Sequence, residues 1–521
     1  MRPKKGRPGA ASAIAAILVT TTIGTVATAA PASAVSGGTA VPLGSHPYLA
    51  RVTTATKACS GVLVDPSWIL TSATCLTPDD LGKPTEPATV LSGDVDLGAG
   101  TGKSAKVAKV VRRADRDVVL AKLDTPATGV AVATVSSTAP QAGETLQLAG
   151  FGRTATEWVP ARPRIAPFSV VSSTGSTVAT KSADGVDTCL GDAGGPALRT
   201  TGQNVEVVAL HSASWQHGCL TVTETRQGSN ETRVDDLGGW IRKSIVPTPV
   251  SCPNGAPVWA ARADGTLWRY VHNDPAGGTV AWTMPSADIG QGWDGRVLAG
   301  KGGAIWDIHR NHGAGDPWGN GILKRWVYSP ATGWSGNLEV GSGWERYLTP
   351  EYRNRVTVDE QGRIFMIDDQ ARLKVYAWND ATNTWVNGGG DVVDTGWGGF
   401  DSITAAGDGV LYARKPNGDL FRFKYDFAAA KWTQRNKPAG VGWQMFSEIF
   451  SPGGDIIYGR GSYGKSPWDG STGPVLRWYR YSDNTDTWGP GAPDGGGLSV
   501  GTGWNTEIHV TAAPDSCKLA G

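Results

Sequence analysis

Excess charge is what this 521-residue chain most plainly lacks: 48 basic and 47 acidic residues leave a net +1. The totals imply no basic face for nucleic acid and name no partner. After residue 34 no run is long and apolar enough to span a bilayer. No spacing of metal ligands is visible, and no cofactor is implied. The length excludes a single ordinary domain. Abundant instead are glycine (71), proline (32) and tryptophan (22), a composition of many turns between short strands that predicts an all-β protein.

Residues 1–34 join a basic start (Arg2, Lys4, Lys5, Arg7) to an apolar stretch from Ala10 to Ala30 and a small-residue ending, Ala32-Ser33-Ala34. This pattern predicts a secretory signal, a mature chain starting at Val35 and an extracellular location. Thr and Gly interrupt the run, leaving it short for a membrane anchor. Six cysteines in an exported chain favour disulfides, and fifteen pairings are open to them. Cys59/Cys75 and Cys189/Cys219 are close pairs, while Cys252 and Cys517 flank the second half.

The stretch Asp187-Thr-Cys-Leu-Gly-Asp-Ala-Gly-Gly-Pro196 resembles the nucleophile loop of trypsin-like serine proteases. That family has a serine where this chain has Ala193. The resemblance implies an oxyanion hole from the backbone N–H groups of Gly191 and Ala193, but a methyl group cannot attack a carbonyl. Val35-Ser36-Gly37-Gly38 looks like the family's mature start, implying a pairing of the Val35 amine with Asp192. Cys59-Ser-Gly-Val-Leu-Val64 and Trp68-Ile-Leu-Thr-Ser-Ala-Thr-Cys75 read as two strands around Asp65-Pro66 and resemble the hairpin that carries the catalytic histidine. The family writes Thr-Ala-Ala-His-Cys; here Thr74 stands at the base position, and a hydroxyl cannot act as a base near neutrality.

Asp117, before Val118-Val-Leu-Ala-Lys-Leu123, matches the third triad position. Ser214-Trp215-Gln216 and Gly218-Cys219 resemble the strand lining the primary specificity pocket and its closing disulfide. Asp187 then takes the place that pairs with Arg or Lys of a substrate. Thr232 to Ile241 looks like the last strand and helix. His46, His211 and His217 are the histidines of this half; all three are read as structural.

Pro247-Thr248-Pro249 breaks the chain, and 18 of the 22 tryptophans follow it. The expected organisation is a signal at 1–34, a trypsin-like (pseudo)protease domain at 35–246, a linker at 247–251 and a second domain at 252–521. In that domain a Gly-X-Gly-Trp element, once Asp-Thr-Gly-Trp, recurs at Trp293, Trp344, Trp397, Trp443 and Trp504. A second tryptophan precedes each, at Trp282, Trp334, Trp385, Trp432 and Trp488. A period near 50 residues made of short strands reads as a β-propeller of five blades. Val258-Trp259 and Glu507-Ile508-His509-Val510 are expected to share one blade, clasped by a Cys252–Cys517 bond.

The repeat resembles the five-bladed tachylectin-like lectins, which implies sugar sites between adjacent blades. The repeated tryptophans are candidates for those sites, although such large apolar surfaces suit blade packing better. The whole reads as a trypsin-like double β-barrel followed by a five-bladed propeller: a secreted, non-catalytic protease homologue with multivalent carbohydrate binding, in which the old pocket suits a peptide's basic side chain. Two alternatives stand beside it. One is a lectin-targeted endopeptidase with another catalytic arrangement; the other is a structural or adhesive protein.

Overall fold

A computed structural model describes residues 35–183, 186–283, 288–309, 321–466, 470–489 and 496–520. The expected signal at 1–34 lies outside the described residues. Six strands form a first closed barrel: β1 (Leu49–Thr53), β2 (Ala58–Asp65), β3 (Trp68–Thr71), β4 (Thr89–Ser92), β5 (Lys103–Arg112) and β6 (Val119–Leu123). Their order around the barrel is β1-β2-β3-β6-β5-β4, with β4 returning to β1. Every residue of β3 is buried, as expected of a strand covered on both faces.

A second barrel comprises β7 (Thr145–Gly150), β8 (Arg164–Thr174), β9 (Thr177–Lys181), β10 (Pro196–Thr201), β11 (Asn204–Ser214) and β12 (Ser229–Arg233). It runs β8-β9-β12-β11-β10-β7 and closes through β7–β8 pairing. Helix α1 (Gly238–Ile245) follows. The segments that matter chemically leave these barrels where they meet: Ser72 to Thr74 after β3, Asp117 before β6, and residues 187–195 before β10. The N–H of Ser60 on β2 donates to the carbonyl of Ala193 (2.9 Å), so the first barrel holds the loop of the second.

The remainder is a propeller of five four- or five-stranded sheets. Its innermost strands, Arg296–Ala299, Val356–Val358, Ser402–Ala405, Glu448–Phe450 and Glu507–Ala512, pack against one another around the axis. The last of these pairs with Ala256–Arg262, Ala260 opposite Val510, so one blade is built from both ends of the domain. Cys252 and Cys517 are bonded across that closure, and Cys59–Cys75 and Cys189–Cys219 are bonded in the barrels.

Each Gly-X-Gly-Trp turn locks one blade to the next. The second tryptophan of four repeats donates its indole N–H to the carbonyl just before a neighbouring turn: Trp334 to Ile289 (2.5 Å), Trp385 to Val340 (2.7 Å), Trp488 to Ala439 (2.6 Å) and, across the closure, Trp282 to Val500 (2.7 Å). The turn's own tryptophan folds back over its first glycine; a methyl at Gly440 would stand 2.5 Å from Trp443 Nε1. In the variant copy, Asp394 replaces that glycine and accepts the Trp397 indole hydrogen bond.

The two halves touch. Lys109 on β5 donates to the carbonyls of Asp483 (2.7 Å) and Asn484 (3.1 Å), and Lys122 on β6 donates to that of Asp486 (3.1 Å). The Asn484 amide caps the end of α1 through the carbonyls of Lys243 and Val246 (2.7 and 2.5 Å).

Candidate functional sites

At the triad position the carboxylate survives with a different set of neighbours. Asp117 accepts from Ser72 Oγ (2.8 and 2.7 Å), from the Thr74 N–H (3.0 Å) and from Ser212 Oγ (2.7 Å). Thr74 Oγ1 lies 2.6 Å from Ser72 Oγ. Hydroxyls thus fill the space where an imidazole would stand, and none of them is a base near pH 7. Ser72 replaces an alanine of the family pattern and is fully buried. Ala193 presents only a methyl. Around it the loop keeps its shape: Gly191 has φ +105° and Gly194 has φ +83°. A side chain at Gly194 would strike Thr71 Oγ1 at 2.2 Å. Among the described residues neither Gly191 N nor Ala193 N donates a hydrogen bond within the protein.

Behind this loop lies a group of buried charges. Asp192 accepts the N–H groups of Gly152 (2.7 Å) and Cys189 (2.8 Å), and burial pushes its carboxyl up to about 6. Asp187 is buried, accepts the N–H groups of Thr188 (2.8 Å) and His217 (3.0 Å), and is also shifted upward by burial. His211 Nδ1 lies 2.9 Å from Glu231. Burial alone would lower the His211 pKa, but Glu231, aided by Asp192 and Asp187, holds it above the ordinary value. Three acidic side chains therefore surround one buried imidazole. Val35 is fully buried against the second-barrel core, and Ser36 bridges Asp187.

Of the serines on the strand expected to line the pocket, Ser212 reaches Asp117 (2.7 Å) and the Ser214 hydroxyl donates to the Thr188 carbonyl (2.6 Å). Trp215 is 48% exposed, with the Arg226 guanidinium 3.6 Å above its ring, so it is no buried pocket wall. Gln216 has φ +61° and accepts from Arg153 (2.9 Å). A bulge lies between His211 and Ala213 on this strand. Ser72 and Ser212 were not singled out by sequence. Serine at 72, against the family's alanine, was the available signal.

In the propeller, Trp293, Trp344, Trp397, Trp443 and Trp504 are all buried. Their faces stack on neighbouring rings, as Trp293 does on Trp334 (5.0 Å, 30°) and Trp397 on Trp432 (5.9 Å, 29°). They therefore pack the blades, which corrects their assignment as sugar-binding faces. Beside two of them open clefts that share parts: a Gly-X-Gly-Trp turn, the second tryptophan, and a tyrosine at one register position. One, of about 280 Å³, is bordered by Val441, Trp443, Met445, Tyr479 and Trp488. The other, of about 530 Å³, adds charge through Arg346, Asp368 and Asp369 to Trp344, Tyr376 and Trp385. Such half-apolar recesses with a few polar groups suit small ligands. No cluster that would hold a metal occurs among the described residues.

The trypsin family model matches residues 35–241 and the tachylectin family model residues 260–515. The first half is 28% identical to snake venom serine proteinase 14 of Crotalus adamanteus, covering 42% of this chain and 90% of that protein. It is 26% identical to trypsin of Sus scrofa, covering 40% and 95%. The venom serine protease pallase of Gloydius halys is 27% identical, covering 42% of this chain and 100% of its own. Geometry and comparison agree that the chain is built of a trypsin domain followed by a tachylectin domain.

Proposed function

We propose that this is a secreted recognition protein whose trypsin domain does not cleave and whose propeller binds glycans in the clefts between blades. The observation that carries the reading is the methyl of Ala193 inside a loop that otherwise keeps its turn, together with hydroxyls in place of the imidazole at Asp117. Five repeated blades offer weak sites in a ring, and several engaged at once give avidity on a glycan-covered surface. Asp187, whose carboxylate accepts the N–H groups of Thr188 and His217, would pair with the basic side chain of a bound peptide. A start at Val35 would supply an amine to Asp192, whose raised pKa marks it as short of a counter-charge. N-terminal sequencing of the secreted protein, with Val35 expected first, tests that point.

The central test pairs two assays on the full chain. Fluorogenic Arg and Lys peptides are expected to stay intact, and a glycan array is expected to show binding that Trp488→Ala, which strips a cleft wall, weakens. Cleavage that tracks the protein through purification, or an array blank for every glycan, overturns the reading.

A further inference from the structure

The five blades can be compared with one another, and one position breaks their rule. Strand pairing sets Trp259 opposite Arg269, Trp306 opposite Arg325, Phe365 opposite Val375, Tyr412 opposite Arg422 and Tyr458 opposite Trp478. At this register two of the three arginines meet a carboxylate from the hairpin of the following blade: Arg325 meets Asp380 (2.6 Å) and Arg422 meets Asp483 (3.2 Å). Where the strand carries Val375, the following hairpin carries Phe427, and both join one apolar cluster. The hairpin facing Arg269 reads Tyr328-Ser329-Pro330, with proline where Asp380 and Asp483 stand.

Arg269 is thus a half-buried guanidinium with neither a hydrogen bond nor an ion pair among the described residues. Its Cζ lies 5.6 Å from the Trp259 ring and 5.7 Å from the Tyr328 ring. It borders a cleft of about 580 Å³ whose wall includes Pro330 and Lys518. The opposing charge there is Asp515, whose Oδ2 is occupied by the Gly302 N–H (2.9 Å). This cleft lies at the Cys252–Cys517 closure, which occurs once in the ring, so it is no copy of the recesses beside Trp344 and Trp443.

We propose that Arg269 is the anchor of a single anion subsite, where the carboxylate or sulfate of an acidic saccharide takes the place that Asp380 and Asp483 fill at the other blades. The planar fork of an arginine pairs two-fold with a carboxylate or sulfate and stacks on aromatic faces, and the rings of Trp259 and Tyr328 are in place. The cleft has the size of a small oligosaccharide. That the ligand is a sugar rests on the glycan-binding reading above; the anion chemistry rests on Arg269 itself.

The test is calorimetric titration of the full chain with glucuronate- and sialate-bearing oligosaccharides, sulfated galactosides and the neutral parents of each. Acidic sugars are expected to bind the native protein at least tenfold more tightly than their parents. Arg269→Gln is expected to remove that preference. So is Pro330→Asp, which supplies the missing internal carboxylate and leaves the fold intact. Carboxylated and sulfated arms separate the two anion sources, and binding in either supports the subsite. Acidic preference unchanged in both variants, or absent from the native protein while neutral sugars bind, overturns the subsite alone. Silence toward every sugar overturns the subsite and the glycan reading together.

Discussion

The catalytic loop and the propeller respond to substitution in opposite ways. The loop exists once, and its chemistry depends on two atoms, an oxygen at position 193 and a ring nitrogen at position 74. This chain carries neither atom, while the Asp192 cradle, the Gly191 turn and the disulfides stay in place. The propeller exists in five copies, so a changed residue such as Pro330 alters one interblade contact and leaves four others as internal controls. Single-copy sites fail silently within an intact fold; repeated ones report their own exceptions.

The largest expected effect breaks the first side of the comparison. Removing a whole triad from such an enzyme costs about a millionfold in kcat. Restoring Ala193→Ser and Thr74→His is expected to return only a trace of peptidase activity, because Ser72 already holds both oxygens of Asp117. Adding Ser72→Ala frees the carboxylate and is expected to raise the rate by a further ~10-fold or more. Equal rates for the double and triple variants would show that Ser72 is no obstacle.

The next effect concerns closure. The Cys252–Cys517 bond closes 265 residues and Cys59–Cys75 closes 16. In the chain-entropy account their removal costs roughly 5 and roughly 3 kcal/mol. Denaturant midpoints of the Cys252→Ser/Cys517→Ser and Cys59→Ser/Cys75→Ser proteins should fall in that order; a reversed order would place the propeller's stability in its blades alone.

Within the ring, Asp455→Ala removes the closest carboxylate of buried Arg422, since the two are 1% and 0% exposed and 2.6 Å apart, and leaves it Asp483 at 3.2 Å. A cost of about 3–5 kcal/mol is expected. Asp380→Ala, at a carboxylate 69% exposed, should cost no more than about 1 kcal/mol. Equal costs would mean that burial does not separate the two ion pairs.

The smallest effect is a pH dependence of the trypsin domain. The folded pKa of His211 is raised from 6.5. Its contribution to stability is therefore fully present below about pH 6.5 and is lost as pH rises through the folded value. Melting temperatures of native protein and His211→Gln, taken from pH 6 to 8.5, should converge with rising pH. Parallel curves would show that His211 stays neutral.

How much of this was legible depends on the distance over which each feature is determined. Ala193, Thr74 and Asp117 were readable because each sits in a local motif whose spacing a strand or tight turn imposes. Ser72 and Ser212 were not, because their role is a hydrogen bond to a carboxylate 45 and 95 residues away. The bulge after His211 was not legible either, because it is set by pairing with the neighbouring strand. The repeated tryptophans announced five blades, yet a list of positions cannot say whether a ring shows its face or hides it. Arg269 was not singled out by sequence, because what it lacks belongs to the next blade.

The sequence by itself determined the two-part organisation, the missing nucleophile and base, and the number of blades, because residue identity and local period are properties of the chain. Only the tertiary structure decided that hydroxyls occupy Asp117, that Lys109 and Asn484 join the two halves, that Glu231 raises the pKa of buried His211, and that Arg269 borders a cleft where Pro330 stands in place of a carboxylate. Each of these depends on which groups leave water together, and burial sets both the cost of an unpaired charge and the worth of a paired one.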